Sequence, residues 1–109
     1  MKLQELASKL GLEAVTKVFD REVTGVYISD MVSDVIANAK SGDLLVTVQV
    51  HANVIAAANL VDVAGIVIGQ GKALPDDVVK MAEKAEISVF QTALSRWQVA
   101  TRLYEAGVR

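Results

Sequence analysis

The sequence of 109 residues contains no cysteine, and it has only one histidine, one proline and one tryptophan. A chain without cysteine has neither a disulfide nor a thiol nucleophile, and one histidine leaves too few ligands for a structural zinc site. These absences exclude thiol enzymes, disulfide-stapled secreted domains and zinc modules. We therefore expect neither a catalytic residue set nor a metal centre.

A strong net charge is also lacking, because 11 basic and 13 acidic residues give a formal charge of −2. No basic field is available to hold a nucleic acid or an anionic membrane surface. No apolar run has the length of a bilayer span, and the first residues lack the pattern of a signal peptide. The sequence predicts a cytoplasmic protein that binds neither nucleic acid nor membrane.

Apolar residues, in contrast, are abundant. They make up 52% of the sequence, and the mean hydropathy of +0.37 is high for a chain with so much surface per residue. The length suits one domain over residues 1–109. We expect part of the apolar surface to meet a second subunit, most simply in a homodimer.

Segments with helical apolar spacing alternate with short runs rich in β-branched residues. Helices are predicted at 3–10, 31–39, 52–60, 76–85 and 96–106, and strands at 13–18, 23–28, 44–50, 64–68 and 87–90. Ser29 and Asp30 resemble a helix cap, and Pro75 followed by two acids is typical of a helix start. The alternation predicts an α/β fold, with a largely parallel sheet of about five strands and helices on its faces.

Small polar residues follow the predicted strands. Ligands of parallel sheets bind where the strands end, because helix N-termini expose unpaired amides there. The residues expected at this edge are Ser29, Asp30, His51, Asn53, Gly69, Gln70, Gly71, Thr92 and Ser95. They suit a nucleotide or another small anionic ligand. Helix capping and tight turns explain the same residue types without a ligand, and the segment after Gly69 lacks the phosphate-binding loop pattern.

Two arginines and two aromatic residues allow more than one interpretation. Arg21 and Arg96 suit either a phosphate group or ion pairs. Trp97 and Tyr104 share one stripe of the last predicted helix, where core packing or a subunit interface is favoured over base stacking. The lone His51 has no cysteine or serine–acid pair to work with, which favours a structural or exposed histidine over a general base.

The segment from Asp20 to Asp30 resembles the DRTGG domain, whose signature contains Asp, Arg, Thr and two glycines. Asp20, Arg21, Thr24 and Gly25 are present, while Glu22 and Val23 are inserted and Val26 replaces the second glycine. The similarity continues through 41–44, 69–75 and 87–103. It implies a fold like the N-terminal domain of HPr kinase/phosphorylase. It also implies a regulatory or dimerising role, as in some phosphotransacetylases and CBS-domain pyrophosphatases.

Three hypotheses follow, with Arg21, Thr24 and Gly25 added to the candidate ligand-binding residues. The leading one is a non-catalytic regulatory module that needs no cofactor, binds a nucleotide or small anionic metabolite and modulates a partner enzyme. The alternative is a purely structural interaction subunit. A third is a small phosphate-handling enzyme that uses His51 and Asp30.

Overall fold

A computed structural model describes residues 1–109 as five helices and five strands. The helices are α1 (Leu3–Leu10), α2 (Val32–Asn38), α3 (Ala52–Val61), α4 (Asp76–Lys84) and α5 (Arg96–Glu105). The strands are β1 (Glu13–Ala14), β2 (Gly25–Ile28), β3 (Asp43–Thr47), β4 (Gly65–Ile68) and β5 (Val89–Gln91). One strand comes directly before each of α2 to α5, so the predicted α/β fold is confirmed.

The five strands form one sheet in the order β1-β5-β4-β3-β2. Strands β2 to β5 run parallel, and β1 pairs antiparallel with β5. All four parallel strands therefore end at one edge of the sheet, which we call the carboxyl edge, and begin at the opposite amino edge. Strands β1 and β2 are the two outer strands.

The first strand is shorter than the predicted 13–18. Only Glu13–Ala14 pairs with β5. Farther along, the Thr16 hydroxyl accepts a hydrogen bond from the Val89 amide at 2.9 Å, and the Ser88 hydroxyl accepts one from the Phe19 amide at 2.7 Å. The prediction of a long first strand is wrong, because the last backbone bond to β5 is from the Val15 amide to the Val89 carbonyl at 2.9 Å, and side-chain oxygens make the contacts beyond it.

The limits of β2, β3 and β5 also differ from the prediction, and β5 covers Val89–Gln91 instead of 87–90. β3 ends at Thr47 instead of Val50, because the Thr47 hydroxyl accepts from the Gln49 amide at 3.0 Å and turns the chain out of the sheet. β2 begins at Gly25, and the buried Val23 before it donates its amide to the Met1 carbonyl at 2.9 Å instead of joining the ladder.

Apolar side chains pack on both faces of the sheet. Alternate residues of β3 and β4 point to opposite faces, so that Leu45 and Ile66 pack with α2, α3 and α4, whereas Leu44 and Val67 pack with α1 and α5. Every residue of β3 and β4 is buried as a result. None of the five helices combines the length and apolar character needed to cross a bilayer.

The helix starts explain how the carboxyl edge is arranged. Pro75 precedes α4, with both predicted acids in the first turn. Ser95 caps α5 in a capping box with Gln98. The predicted cap of α2 is wrong in part: Met31 occupies the cap position and its side chain makes no capping hydrogen bond, while the Ser29 hydroxyl accepts from the Met31 amide at 3.2 Å. Asp30 has other partners, described below.

Candidate functional site

The structure brings the predicted strand-end residues to one edge. Because β2 to β5 are mutually parallel, residues directly after them share the carboxyl edge. Ser29 and Asp30 follow β2, His51 and Asn53 follow β3, Gly69, Gln70 and Gly71 follow β4, and Thr92 and Ser95 follow β5. The predicted placement of this set along one edge is confirmed. Its role in ligand binding remains a prediction.

Asp30 is the most connected of these residues. One of its carboxylate oxygens accepts from the Thr47 hydroxyl at 3.0 Å and from the Val48 amide at 2.8 Å. The other oxygen accepts from the Arg96 guanidinium, with which Asp30 forms an ion pair. Asp30 thus joins the ends of β2 and β3 to the first residue of α5.

The ion pair is only partly shielded from water. The Arg96 and Asp30 side chains are 38% and 34% exposed. A half-exposed pair of this kind contributes at most about 1 kcal/mol. Arg96 therefore presents a guanidinium at the carboxyl edge that is held by a carboxylate yet reachable from solvent.

The glycine segment after β4 bonds to the segment after β5. The Gln70 amide donates to the Leu94 carbonyl at 2.8 Å, and the Gly71 amide to the Thr92 carbonyl at 2.9 Å. A side chain at Gly69 would place its Cβ 3.1 Å from the Leu94 carbonyl oxygen. The glycines thus serve close packing of two loops, and their amides are used within the protein.

His51 caps a helix. Its Nδ1 accepts from the Asn53 amide at 3.1 Å, at the start of α3, and its side chain is otherwise exposed. No hydrogen bond or ion pair joins His51 to Asp30. The interpretation of a structural histidine agrees with this geometry, and the pairing needed for a His51–Asp30 general base is absent.

Arg21 lies at the other end of the sheet, together with Thr24 and Gly25. Its guanidinium bonds Asp62 through both nitrogens, at 2.9 and 3.2 Å, and donates to the Val63 carbonyl at 2.8 Å. The Ser41 hydroxyl donates to the same carboxylate at 2.6 Å. The pKa of Asp62 is lowered, first by the Ser41 hydrogen bond and then by Arg21. These signature residues therefore lie at the amino edge, away from the strand-end residues, and their role in ligand binding remains a prediction.

Thr24 and Gly25 fit closely against the turn before β3. A Cβ at Gly25 would lie 2.6 Å from Oδ1 of Asp43, and one at Gly42 would lie 2.4 Å from Oγ1 of Thr24. Gly42 also has φ of 86°, which glycine tolerates best. The Thr-Gly part of the signature thus allows the start of β2 to approach β3.

Trp97 and Tyr104 are on the surface, where they define the aromatic stripe of α5. Their exposed fractions are 75% and 59%, and with Ala100, Thr101 and Glu105 they line a groove of about 410 Å³. The Arg109 guanidinium lies 4.2 Å from the centre of the Tyr104 ring. A core role for these aromatic residues is excluded, and the interface and base-stacking interpretations remain predictions.

Tyr27 connects β2 to α2, an interaction that the sequence did not indicate. Its hydroxyl donates to the Asp34 carboxylate at 2.8 Å, and the Asn38 amide also donates to Asp34 at 2.8 Å. Hydrogen bonds from Ser29, Asn38 and Tyr27, in that order, lower the pKa of Asp34. The hydrogen bond to Asp34 is the main cause of a raised pKa of Tyr27. Residues 27, 34 and 38 are seven and four apart, a spacing without a motif.

Comparisons with known proteins agree with the fold. A family model described as the DRTGG domain matches residues 5–106. A crystal structure of the CBS and DRTGG domains of the regulatory region of Clostridium perfringens pyrophosphatase, complexed with the activator diadenosine tetraphosphate, is similar with a TM-score of 0.76. The match has 18% sequence identity and covers 93% of this chain but 45% of that chain. No curated protein matches the sequence.

Proposed function

Because the chain belongs to the DRTGG domain family, we propose that it is a regulatory module in which an anionic ligand bound by Arg96 changes how α5 contacts a partner enzyme. The observation that carries this proposal is the Arg96–Asp30 ion pair at the first residue of α5. The pair places a ligand-accessible cation one residue before the exposed Trp97.

The chemistry of Arg96 favours a phosphate-bearing ligand. A guanidinium binds phosphate through two parallel hydrogen bonds, and such charge-assisted bonds are stronger than neutral ones. A phosphate group carries up to two charges, so it competes well with the single charge of Asp30 for a half-exposed arginine. The regulatory region of the similar pyrophosphatase was crystallised with a nucleotide activator, which supports nucleotides as the first class to test.

The position of Arg96 also connects ligand binding to the exposed stripe of α5. Gly69 at the end of β4 lies beside Arg96, since a Cβ at Gly69 would come within ordinary contact distance, 3.7 Å, of the Arg96 amide. Ser95 and Gln98 fix the start of α5. A ligand that draws the guanidinium from Asp30 therefore acts on the first turn of α5. The aromatic stripe of α5 begins there, and a partner that binds this stripe distinguishes the two states.

Ligand binding is tested by titration calorimetry with ATP, ADP, AMP, diadenosine tetraphosphate and inorganic phosphate. Emission from Trp97, the single tryptophan, gives an independent signal next to Arg96. We expect Arg96→Gln to abolish both signals and Arg102→Gln, an exposed arginine of the same helix, to leave them unchanged. Absence of heat with every compound, or equal binding by Arg96→Gln, would overturn the proposal.

A second candidate function is a structural subunit that acts only through the aromatic stripe. Its support is the 75% exposure of Trp97, since exposed aromatic clusters are typical of protein interfaces. Light scattering measures the mass of the assembled Trp97→Ala and Tyr104→Ala variants and so tests this candidate. A loss of mass in both variants without any ligand effect favours this candidate, and an unchanged mass rejects the stripe as a subunit contact.

A further inference from the structure

We propose that the outer side of β2 is a self-association surface, on which a second copy of this chain adds its own β2 in antiparallel orientation. This inference does not rest on the proposed ligand site, and separate variants of β2 and of Arg96 test the two proposals.

The outer side of β2 has unpaired backbone groups. β2 pairs only with β3, and a strand in a parallel pair bonds its neighbour through alternate residues. The Ser29 amide donates to the Val46 carbonyl at 3.2 Å. By this alternation Tyr27 faces β3, whereas Val26 and Ile28 turn their N–H and C=O groups outward.

The two outer strands differ in their protection against pairing. Natural outer strands are kept apart by charges, proline or very short length. β1 has two residues and begins with the charged Glu13. β2 has the sequence Gly-Val-Tyr-Ile, without a charge or a proline, and its Ile28 is 44% exposed. Of the two outer strands, only β2 therefore lacks both a charge and a proline, and it is twice as long as β1.

The sequence of β2 is complementary to itself in one register. In an antiparallel pair centred on Tyr27, Val26 lies opposite Ile28 of the second copy and Ile28 lies opposite Val26. These outward residues make hydrogen-bonded pairs with two bonds each, which gives four bonds across the two-fold axis. Val26 and Ile28 then form apolar pairs on the α1 and α5 face, while the two Tyr27 residues meet on the other face.

Exposed apolar residues near β2 also favour a second copy of this chain as the partner. Met31 precedes α2 and Ile36 lies within it, and they are 65% and 46% exposed. The Asp34 carboxylate ties Tyr27 to α2, so this helix accompanies β2 to the two-fold axis. A second copy contributes the same exposed apolar residues, and neither β2 strand has a charged residue. A second copy is therefore favoured over an unrelated strand that carries charges.

The mass in solution tests the proposal. We expect the wild type to have about twice the 11.6 kDa of one chain. Ile28→Pro removes an outward N–H without removing a bond to β3, and Ile28→Lys places a charge opposite Val26; both variants are expected to halve the mass while circular dichroism stays unchanged. Leu60→Lys, at an α3 residue that is 70% exposed, is the matched control and keeps the wild-type mass.

Cross-linking tests the register. The chain has no cysteine, so Tyr27→Cys can form a disulfide only between copies, and cysteines at a close non-hydrogen-bonded pair, about 4.5 Å between Cα atoms, oxidise readily. Leu60→Cys should remain uncross-linked. The proposal is overturned if the wild type is monomeric at all concentrations, if both Ile28 variants keep its mass, or if Trp97→Ala alone abolishes association. Ligand binding by Ile28→Pro reports separately on the proposed function.

Discussion

Arg96, the first residue of α5, binds the carboxylate of Asp30 across 66 positions of sequence. The same carboxylate holds Thr47 and Val48 at the end of β3. Asp30 therefore has two opposite effects in our account: it stabilises the carboxyl edge, and it competes with an anionic ligand for Arg96.

Asp30→Ala separates these effects. We expect the free energy of unfolding to fall by about 1–3 kcal/mol, because a hydroxyl, an amide and a guanidinium lose their acceptor. Affinity for ATP should rise, because no carboxylate competes for Arg96. Urea denaturation and calorimetry measure the two quantities. Asp77→Ala, which removes an exposed acid from the same edge, is the control for general electrostatics, and an equal gain in affinity there would contradict the account.

Asp62 predicts a pH dependence at the amino edge. Because its pKa is lowered in the folded state, its contribution to stability is present above its unfolded pKa of about 4 and is lost as the pH falls through the lower folded pKa. Ser41→Ala removes the largest cause of that shift. We expect this variant to be less stable than the wild type at neutral pH, with the difference shrinking in acid. Ser8→Ala serves as the control, and a difference independent of pH would contradict the assignment.

Gly25→Ala tests the close approach at the start of β2. The added Cβ would lie 2.6 Å from Oδ1 of Asp43, a side chain whose other oxygen accepts from the Lys40 amide at 2.8 Å. We expect a loss of about 1–3 kcal/mol, typical of overpacking, in urea denaturation. An unchanged unfolding midpoint would show that Asp43 moves aside freely.

Trp97→Ala tests whether the aromatic stripe belongs to the surface. Since Trp97 is 75% exposed, we expect its replacement to change the unfolding free energy of the isolated subunit by less than about 0.5 kcal/mol. Leu103→Ala, at a residue of the same helix that is 1% exposed, should cost about 2–5 kcal/mol. A large loss in the tryptophan variant would place it in a core.

Sequence reasoning predicted the helices and the edge because both depend on local signals. Each signal can be recognised within one short segment of sequence, as the helical spacing of Leu3, Leu6 and Leu10 and the proline before α4 show. Strand order and direction then place every segment that follows a parallel strand at the carboxyl edge. This is why Ser29 and Thr92, although far apart in sequence, could be assigned to it together.

Partners distant in sequence could not be predicted in this way. Asp30 precedes a predicted helix, as a cap residue does, yet in the folded chain its carboxylate forms an ion pair with Arg96. Arg21 suited either a phosphate group or an ion pair, and it forms an ion pair with Asp62, which lies 41 positions away. The length of the strand that begins at Glu13 was predicted wrongly for a related reason. No local sequence pattern shows that the Thr16 hydroxyl will accept the hydrogen bond from the Val89 amide.

The most direct test of the central claim is an NMR titration with ATP that follows backbone amides and arginine side chains. We predict saturable shifts at the Arg96 guanidinium and at the amides of Val48 and Trp97, with little change at Arg21 and Thr24. Shifts confined to the amino edge, or none at all, would contradict ligand binding by Arg96.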